Sequence, residues 1–504
     1  MANKVRICAV FISKPKFEAG HPYVGFDNEE YKRSVLERLR ARFEGIDFVD
    51  EEVITKYRSD LMQKIKEDAK GCDGLFIHTV GQYGDPGIVD AGAELIQLNI
   101  PTVLANYPYG GDPTFLKIYD RVRGKGHRVL PISSPNFEDV EKAIDMLRRM
   151  SNMRGKSILT YTLDEKVEID LRGFMEFLEP DVEKPWVKEM MEDTMKPEAE
   201  WSFRESYVDL VGTDQAHSWR RDEALYQKNL REVFGIGLLR HSPDEILESY
   251  QEVDANEVGR IAEQWKRGAR AISPDITEKA IENVVKLYLA SKKLMEKNGA
   301  DAIAIDCGTF FLTGKVPAVP CFAFSRLMDD GSTGICESDL DSGVSALFVR
   351  YLFGLPSFLT NQSLDTVHNR ATYMHCYAPT LLYGKGKEPL PYEIDTHGET
   401  EAPGLGAVPL VHFPPGETLT TIKISVLKRK IAIRSGTIVG MVRDEKACPA
   451  CRVKVLVETN AKKILENYDW DTFGLHRVSF LGDHRDETIA TASLLGLEVC
   501  EEDR

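Results

Sequence analysis

From residue 5 to residue 163 the chain alternates short apolar runs with longer stretches of helical spacing. That alternation limits the possible folds more than any other feature. VRICAVFI (5–12) is apolar almost throughout, as a strand buried on both faces requires. NEEYKRSVLERLRARF (28–43) then sets Tyr31, Val35, Leu36, Leu39 and Phe43 along one helical stripe. DLMQKIKEDAKGCDGLFIHTVG and IVDAGAELIQLNIPTVLANYP repeat the unit, and DVEKAIDMLRRMSNM (139–153) is amphipathic again. Strand–helix alternation with short connections builds a parallel sheet covered by helices.

KSILTYTL (156–163) reads as the first strand of a second such domain. The long helix TEKAIENVVKLYLASKKLMEKNG (277–299) and the buried strand ADAIAIDCG (300–308) continue it. After about residue 345 the period changes from 3.6 to 2. GETLTTIKISVLKRKIAIRSGTIVGMV and CRVKVLVET alternate apolar and polar residues between glycines, the pattern of antiparallel β structure in a sandwich or barrel. The expected fold is therefore α/β. Two Rossmann-like parallel-sheet domains, 1–155 and 156–345, are followed by a β-rich, barrel-like C-terminal domain, 346–504.

Several function classes fall away. No G-x-G-x-x-G follows a strand and no G-x-x-x-x-G-K-S/T occurs, which disfavours nucleotide binding. Net charge is −16, from 80 acids against 64 bases, so no basic face for nucleic acid is expected. No run of 18 apolar residues is present, so no membrane span is expected. Nine cysteines in 504 residues, with no secretory signal ahead of them, do not make a disulfide scaffold, and the cytoplasm is the default location. Two polar, Gly-rich loops follow strands, His78–Asp85 and Asn106–Gly111. They suit a sugar as well as they suit ordinary turns.

Chemistry-bearing residues are densest over 321–379, where Glu337, Asp339, Asp341, Asn361, Asp365, His368 and His375 occur. Asp339 and Asp341 open an apolar helix and are read as capping and dipole residues. Glu337 directly follows a buried strand end, where catalytic groups collect. A second histidine pair, His476 and His484, lies in FGLHRVSFLGDHRDE. Carboxylates and imidazoles from distant segments suit a Mn2+, Mg2+ or Co2+ site and lack the tight spacing of structural zinc. Cys448-Pro-Ala-Cys451 has no partner pair, and both cysteines are read as structural.

GADAIAIDCG, VPCFAFSRLMDDGSTGICESDLDSG, FLTN, HCYAP, FPPGETLTTIKIS, ACRVKVLV and GLHRVSFLGDHRDE occur in that order over about residues 270–504. In these pieces the chain resembles the L-fucose and L-arabinose isomerase superfamily, particularly its shorter fucose-isomerase-like branch. The resemblance implies an aldose–ketose isomerase acting on a small-molecule sugar through an enediol, with a divalent metal, Mn2+ first, and a homo-oligomer, typically a hexamer. It places Glu337 on the first family carboxylate, as metal ligand and acid/base. Position 361 falls on the second, His375 near the metal and substrate, and His476 on the late C-terminal ligand. The second family carboxylate is here Asn361. An amide oxygen ligates weakly and takes no proton. Either Asp365, four residues on, supplies the missing base, or the chemistry has changed, or the alignment is shifted. The alternatives are lyase or epimerase-type carbonyl chemistry on a sugar derivative, and a catalytically silent sugar-binding protein.

Overall fold

The computed structural model describes residues 4–82, 85–161, 221–307, 318–397, 406–443 and 451–504. Trp186, Trp201, Trp219 and Cys448 lie outside these residues. Two compact units result, one of residues 1–154 with 486–499, the other of residues 155–485 with 500–504.

In the first unit β1 (Val5–Ile12), β2 (Ile46–Asp50), β3 (Gly74–Thr79), β4 (Thr102–Asn106) and β5 (Val129–Ser133) form a parallel sheet of order β2-β1-β3-β4-β5. The apolar runs occupy the centre. All of β3 and β4 and six of the eight residues of β1 are buried, because helices cover both faces. Asp27 and Asn136 cap two of those helices through their side chains. The late helix Arg485–Leu495 also contributes to this unit, where Leu494 O accepts from Arg128 Nε at 3.1 Å.

The second unit holds the other sheets. β6 (Ser157–Tyr161), β7 (Gly237–Arg240), β8 (Ala302–Ile305) and β9 (Thr333–Ile335) are parallel, in the order β7-β6-β8-β9. β10 (Phe358–Asp365), β11 (Arg370–His375), β14 (Thr418–Ser425), β15 (Lys430–Met441), β16 (Val453–Glu458) and β17 (Arg477–Leu481) are antiparallel, in the order β14-β17-β10-β11-β16-β15. β15 pairs back onto β14 from Thr418↔Thr437 to Ser425↔Lys430, which closes the sheet into a barrel. β12 (Tyr392–Asp395) and β13 (Val408–Val411) make a separate hairpin. The α/β class with parallel sheets and a β-rich C-terminal region is thus what the sequence pattern predicts.

One helix ties the sheets of this unit together. Leu340–Phe353 touches β8 and β9 on one side and β14 and β17 on the other, and eleven of its fourteen residues are buried. An all-round buried helix explains why its sequence shows only a weak polar face. Its N-terminus therefore arrives where the parallel strands end and the barrel begins.

Candidate metal centre

β8 and β9 end side by side, and the residues after them turn out of the sheet at its carboxyl edge. After β9 the chain makes one tight turn, Cys336–Ser338. Glu337 (φ 55°, ψ 20°) and Ser338 (φ 48°) both adopt the left-handed conformation, at a cost of about 1–2 kcal/mol per residue. The helix thus begins at Leu340, three residues after Glu337, and Glu337 sits on a strained connection rather than in the first helical turn.

Asp339 is the cap, as its sequence position suggests. Its Oδ1 accepts from Ser342 N at 2.9 Å and its Oδ2 from Ser342 Oγ at 2.8 Å. It also does what the sequence does not reveal. Oδ2 accepts from Lys423 Nζ at 2.5 Å and faces His476 Nδ1 at 2.9 Å, all in the interior. Burial alone would push this carboxyl up, but the Lys423 ammonium and the His476 ring outweigh it and hold Asp339 well below the usual carboxylate range. An ionised Asp339 accepts a hydrogen bond from His476 Nδ1–H, which leaves Nε2 as the lone-pair nitrogen. That nitrogen lies 3.3 Å from Glu337 Oε2.

His375 completes the cluster from the end of β11. Its ring centroid is 5.6 Å from that of His476 and 5.4 Å from that of Tyr377. One ligand atom each from Cys336, Glu337 and His375 lie within 4.8 Å of one another. Oxygen, nitrogen and sulfur donors so placed, with a carboxylate behind the adjacent His476, suit a divalent cation. The Cys336 thiol is pushed up by the neighbouring Cys307 and Cys321 sulfurs and by burial, so it stays protonated and the harder donors set the character of the site. Cys307 Sγ lies 3.5 Å from Cys336 Sγ.

The structure brings Glu337, His375 and His476 together, although 139 residues separate the first from the last. The other two sequence candidates lie differently. Asn361 pairs with Met374 across β10 and β11, and its Nδ2 points to Cys451 Sγ at 3.7 Å. Its Oδ1 is buried without a hydrogen-bond partner among the described residues. Asp365 ends β10 at the exposed hairpin tip. There it accepts from Val367 N and His368 N and meets the His368 ring at 2.7 Å. A strand rises about 3.3 Å per residue, so four residues carry Asp365 about 13 Å along the barrel from Asn361. His484 stacks on Phe480 and packs at a tilt against Phe353, the three rings forming one aromatic cluster.

In the first unit, the polar loop residue His78 serves the core. Its Nε2 meets Tyr31 OH at 3.0 Å and its Nδ1 meets Ala105 O at 3.3 Å. Burial pushes the ring down to about 4, so it stays neutral. Asn106 bonds Asp112 and Ser133. Among the described residues no helix is long and apolar enough to cross a membrane.

Comparison with known proteins adds a partial likeness. No family model matches the chain. Over 158 residues, 31% of this chain, it is 25% identical to sulfoquinovose isomerases of Priestia aryabhattai and Priestia megaterium. The match spans about a third (34%) of those curated relatives' own length, so the chain is similar to part of a sulfoquinovose isomerase.

Proposed function

We propose that the protein is a metal-dependent aldose–ketose isomerase. The observation that carries this reading is the meeting of Glu337, His375 and His476 at the carboxyl edge of a parallel sheet, with Asp339 orienting His476. The partial likeness to sulfoquinovose isomerases supports an isomerase of a sugar.

In this reading Glu337, His375 and His476 hold the cation, Mn2+ first and Mg2+ or Co2+ as alternatives, with Asn361 Oδ1 as a further oxygen. When bound, the cation supplies Lewis acidity for negative charge developing on adjacent carbonyl and hydroxyl oxygens. Glu337 takes the proton from one of C1 and C2 and returns it to the other, so one carboxylate serves both carbons. The hydroxyl proton passes between the adjacent oxygens O2 and O1, since His375 and His476 are both taken up as ligands. Asp339 keeps His476 in the tautomer that offers Nε2. The burial of His375 and His476 excludes water from the reacting face. Assembly as a homo-oligomer, a hexamer, and a cytoplasmic location belong to the same reading.

A second reading, lyase or epimerase-type carbonyl chemistry, is favoured by Asp365 standing at the hairpin tip, which leaves Glu337 as the base of this cluster. The test is solvent exchange of the C2 proton in D2O, followed by NMR, with Mn2+ and a panel of plain and sulfonated aldoses and ketoses. Exchange with interconversion of aldose and ketose is expected. Glu337→Gln should lower turnover by about 10²–10⁴. Exchange that yields a C2 epimer or a cleaved product moves the assignment to the second reading. Sugar binding without any exchange would leave only the silent binder.

A further inference from the structure

A second group of donor atoms adjoins the centre just described and shares no residue with it. It consists of Cys321, Cys376 and His397, one ligand atom each, all within 4.8 Å of one another. Cys321 is the first residue of the helix Cys321–Asp329, Cys376 follows β11, and His397 lies two residues after β12. All three are buried, at 3%, 5% and 3% exposure. Cys321 Sγ lies 3.3 Å from His397 Nε2. In a tetrahedral site with sulfur at about 2.3 Å and nitrogen at about 2.05 Å, the sulfur–nitrogen edge is about 3.6 Å and the sulfur–sulfur edge about 3.8 Å. The group is therefore already near the spacing that a bound ion imposes.

Each of the three backbones is anchored. Arg452 donates from Nε to Thr396 O at 2.7 Å and from Nη2 to His397 O at 2.9 Å, which fixes the chain at His397. Ser325 Oγ donates to Ala378 O at 2.8 Å, tying the helix that begins with Cys321 to the segment that holds Cys376. A buried thiol–imidazole contact is by itself ordinary core packing, since cysteine is among the most buried residue types. Here two sulfurs and an imidazole from three separate segments converge, and the group contains no carboxylate. That donor set selects soft or borderline ions over Mn2+ and Mg2+.

We propose that Cys321, Cys376 and His397 bind a second cation, of the zinc class, with two thiolates, one imidazole and an open fourth position. Binding releases the thiol protons to solvent as the metal–sulfur bonds form. The role follows from adjacency. Cys376 is bonded in sequence to His375, and Cys321 interacts with Cys336, the residue before Glu337. The soft ion thus clamps both ends of the neighbouring cluster without touching substrate, and its existence does not depend on the isomerase reading.

The test is metal content of the purified full-length protein, produced with zinc present and dialysed against metal-free buffer. One tightly held zinc per chain is expected, retained by Glu337→Gln and absent from the Cys321→Ser, Cys376→Ser double variant. Cobalt(II) in its place should give an intense thiolate-to-cobalt charge-transfer band in wild type and in Glu337→Gln. Because the double variant could fail to fold, wild type is also titrated with a mercurial. Zinc release should then rise in step with modification of two thiols. Substoichiometric zinc in wild type, a cobalt spectrum without the charge-transfer band, or zinc release uncoupled from thiol modification would each overturn the proposal.

Discussion

The two oxygens of Asp339 serve a helix cap, a buried ammonium and a histidine tautomer at once. Asp339→Asn preserves the shape and removes the charge. It removes the direct ion-pair partner of the fully buried Lys423, and should cost about 3–5 kcal/mol in urea unfolding. Adding Lys423→Met to that variant should recover most of the stability, because the unpaired charge is gone. Metal affinity should stay about 10–100-fold below wild type, because His476 has still lost its orienting carboxylate. Full recovery of both in the double variant would remove the positioning role. Asp341, two residues further on, behaves in the opposite way. Burial pushes its carboxyl up to about 6, against about 3.9 in the unfolded chain. A raised acid favours the folded state most below the unfolded value, and that advantage disappears as pH rises through 6. Asp341→Asn keeps the acceptor for Tyr226 OH and Val426 N and does not titrate. Relative to wild type, its stability should therefore rise by about 2.4 kcal/mol between pH 4 and pH 8. A constant difference across that range would contradict the assignment. Glu337 was singled out in the sequence by its place after a strand end, and His375 and His476 by the resemblance to the isomerase superfamily. The buried partnership of Asp339 was not, since Lys423 lies 84 residues away and an acidic residue before a helix reads fully as a cap.

The barrel shows the same division between what a pattern reveals and what only packing reveals. Alternation in β14, β15 and β16 announces antiparallel strands, whereas Gly436, which reads as a break, lies inside β15. Closure is invisible in that pattern, because it depends on β15 being long enough to pair with both β14 and β16. Also invisible is the charged group beside it. Glu502 receives Arg434 Nη1 at 3.1 Å and Arg477 Nη2 at 2.7 Å, with all three side chains at 0–1% exposure. In sequence these are two strand arginines and an acid near the last residue, each readable as a surface charge. Glu502→Gln should cost about 3–5 kcal/mol by urea unfolding, because two guanidinium groups lose their carboxylate in a dry interior. Replacing the whole group with Arg434→Met, Arg477→Met and Glu502→Leu should restore stability to near wild type, since desolvation of the ions offsets most of their attraction. If the single substitution is silent, the group is wetter than its burial indicates.

At the scale of the whole chain, every candidate ligand falls in one of the two compact units. Glu337, His375, His476 and the Cys321 group all belong to residues 155–485, while the first unit combines residues 1–154 with 486–499. A ligand stabilises only the states that bind it, by about 2.7 kcal/mol at a hundredfold excess over Kd. Cation binding should accordingly slow the opening of the elements that carry the donors and leave the five-stranded sheet as it was. The measurement is amide hydrogen exchange by mass spectrometry, with chelator and then with Mn2+ or Zn2+. Peptides covering 302–307, 321–345, 370–377 and 470–481 should gain protection. Peptides from β1, β3 and β4 should not change, and neither should the helix Arg485–Leu495, which is late in sequence but belongs to the first unit. That helix is the discriminating probe. Protection that followed sequence position would spread from β17 into it within a few residues, whereas protection that follows the fold stops at Arg485. Equal protection of both units would mean that the cations act on the molecule as a whole, and protection confined to the first unit would place the metal sites elsewhere.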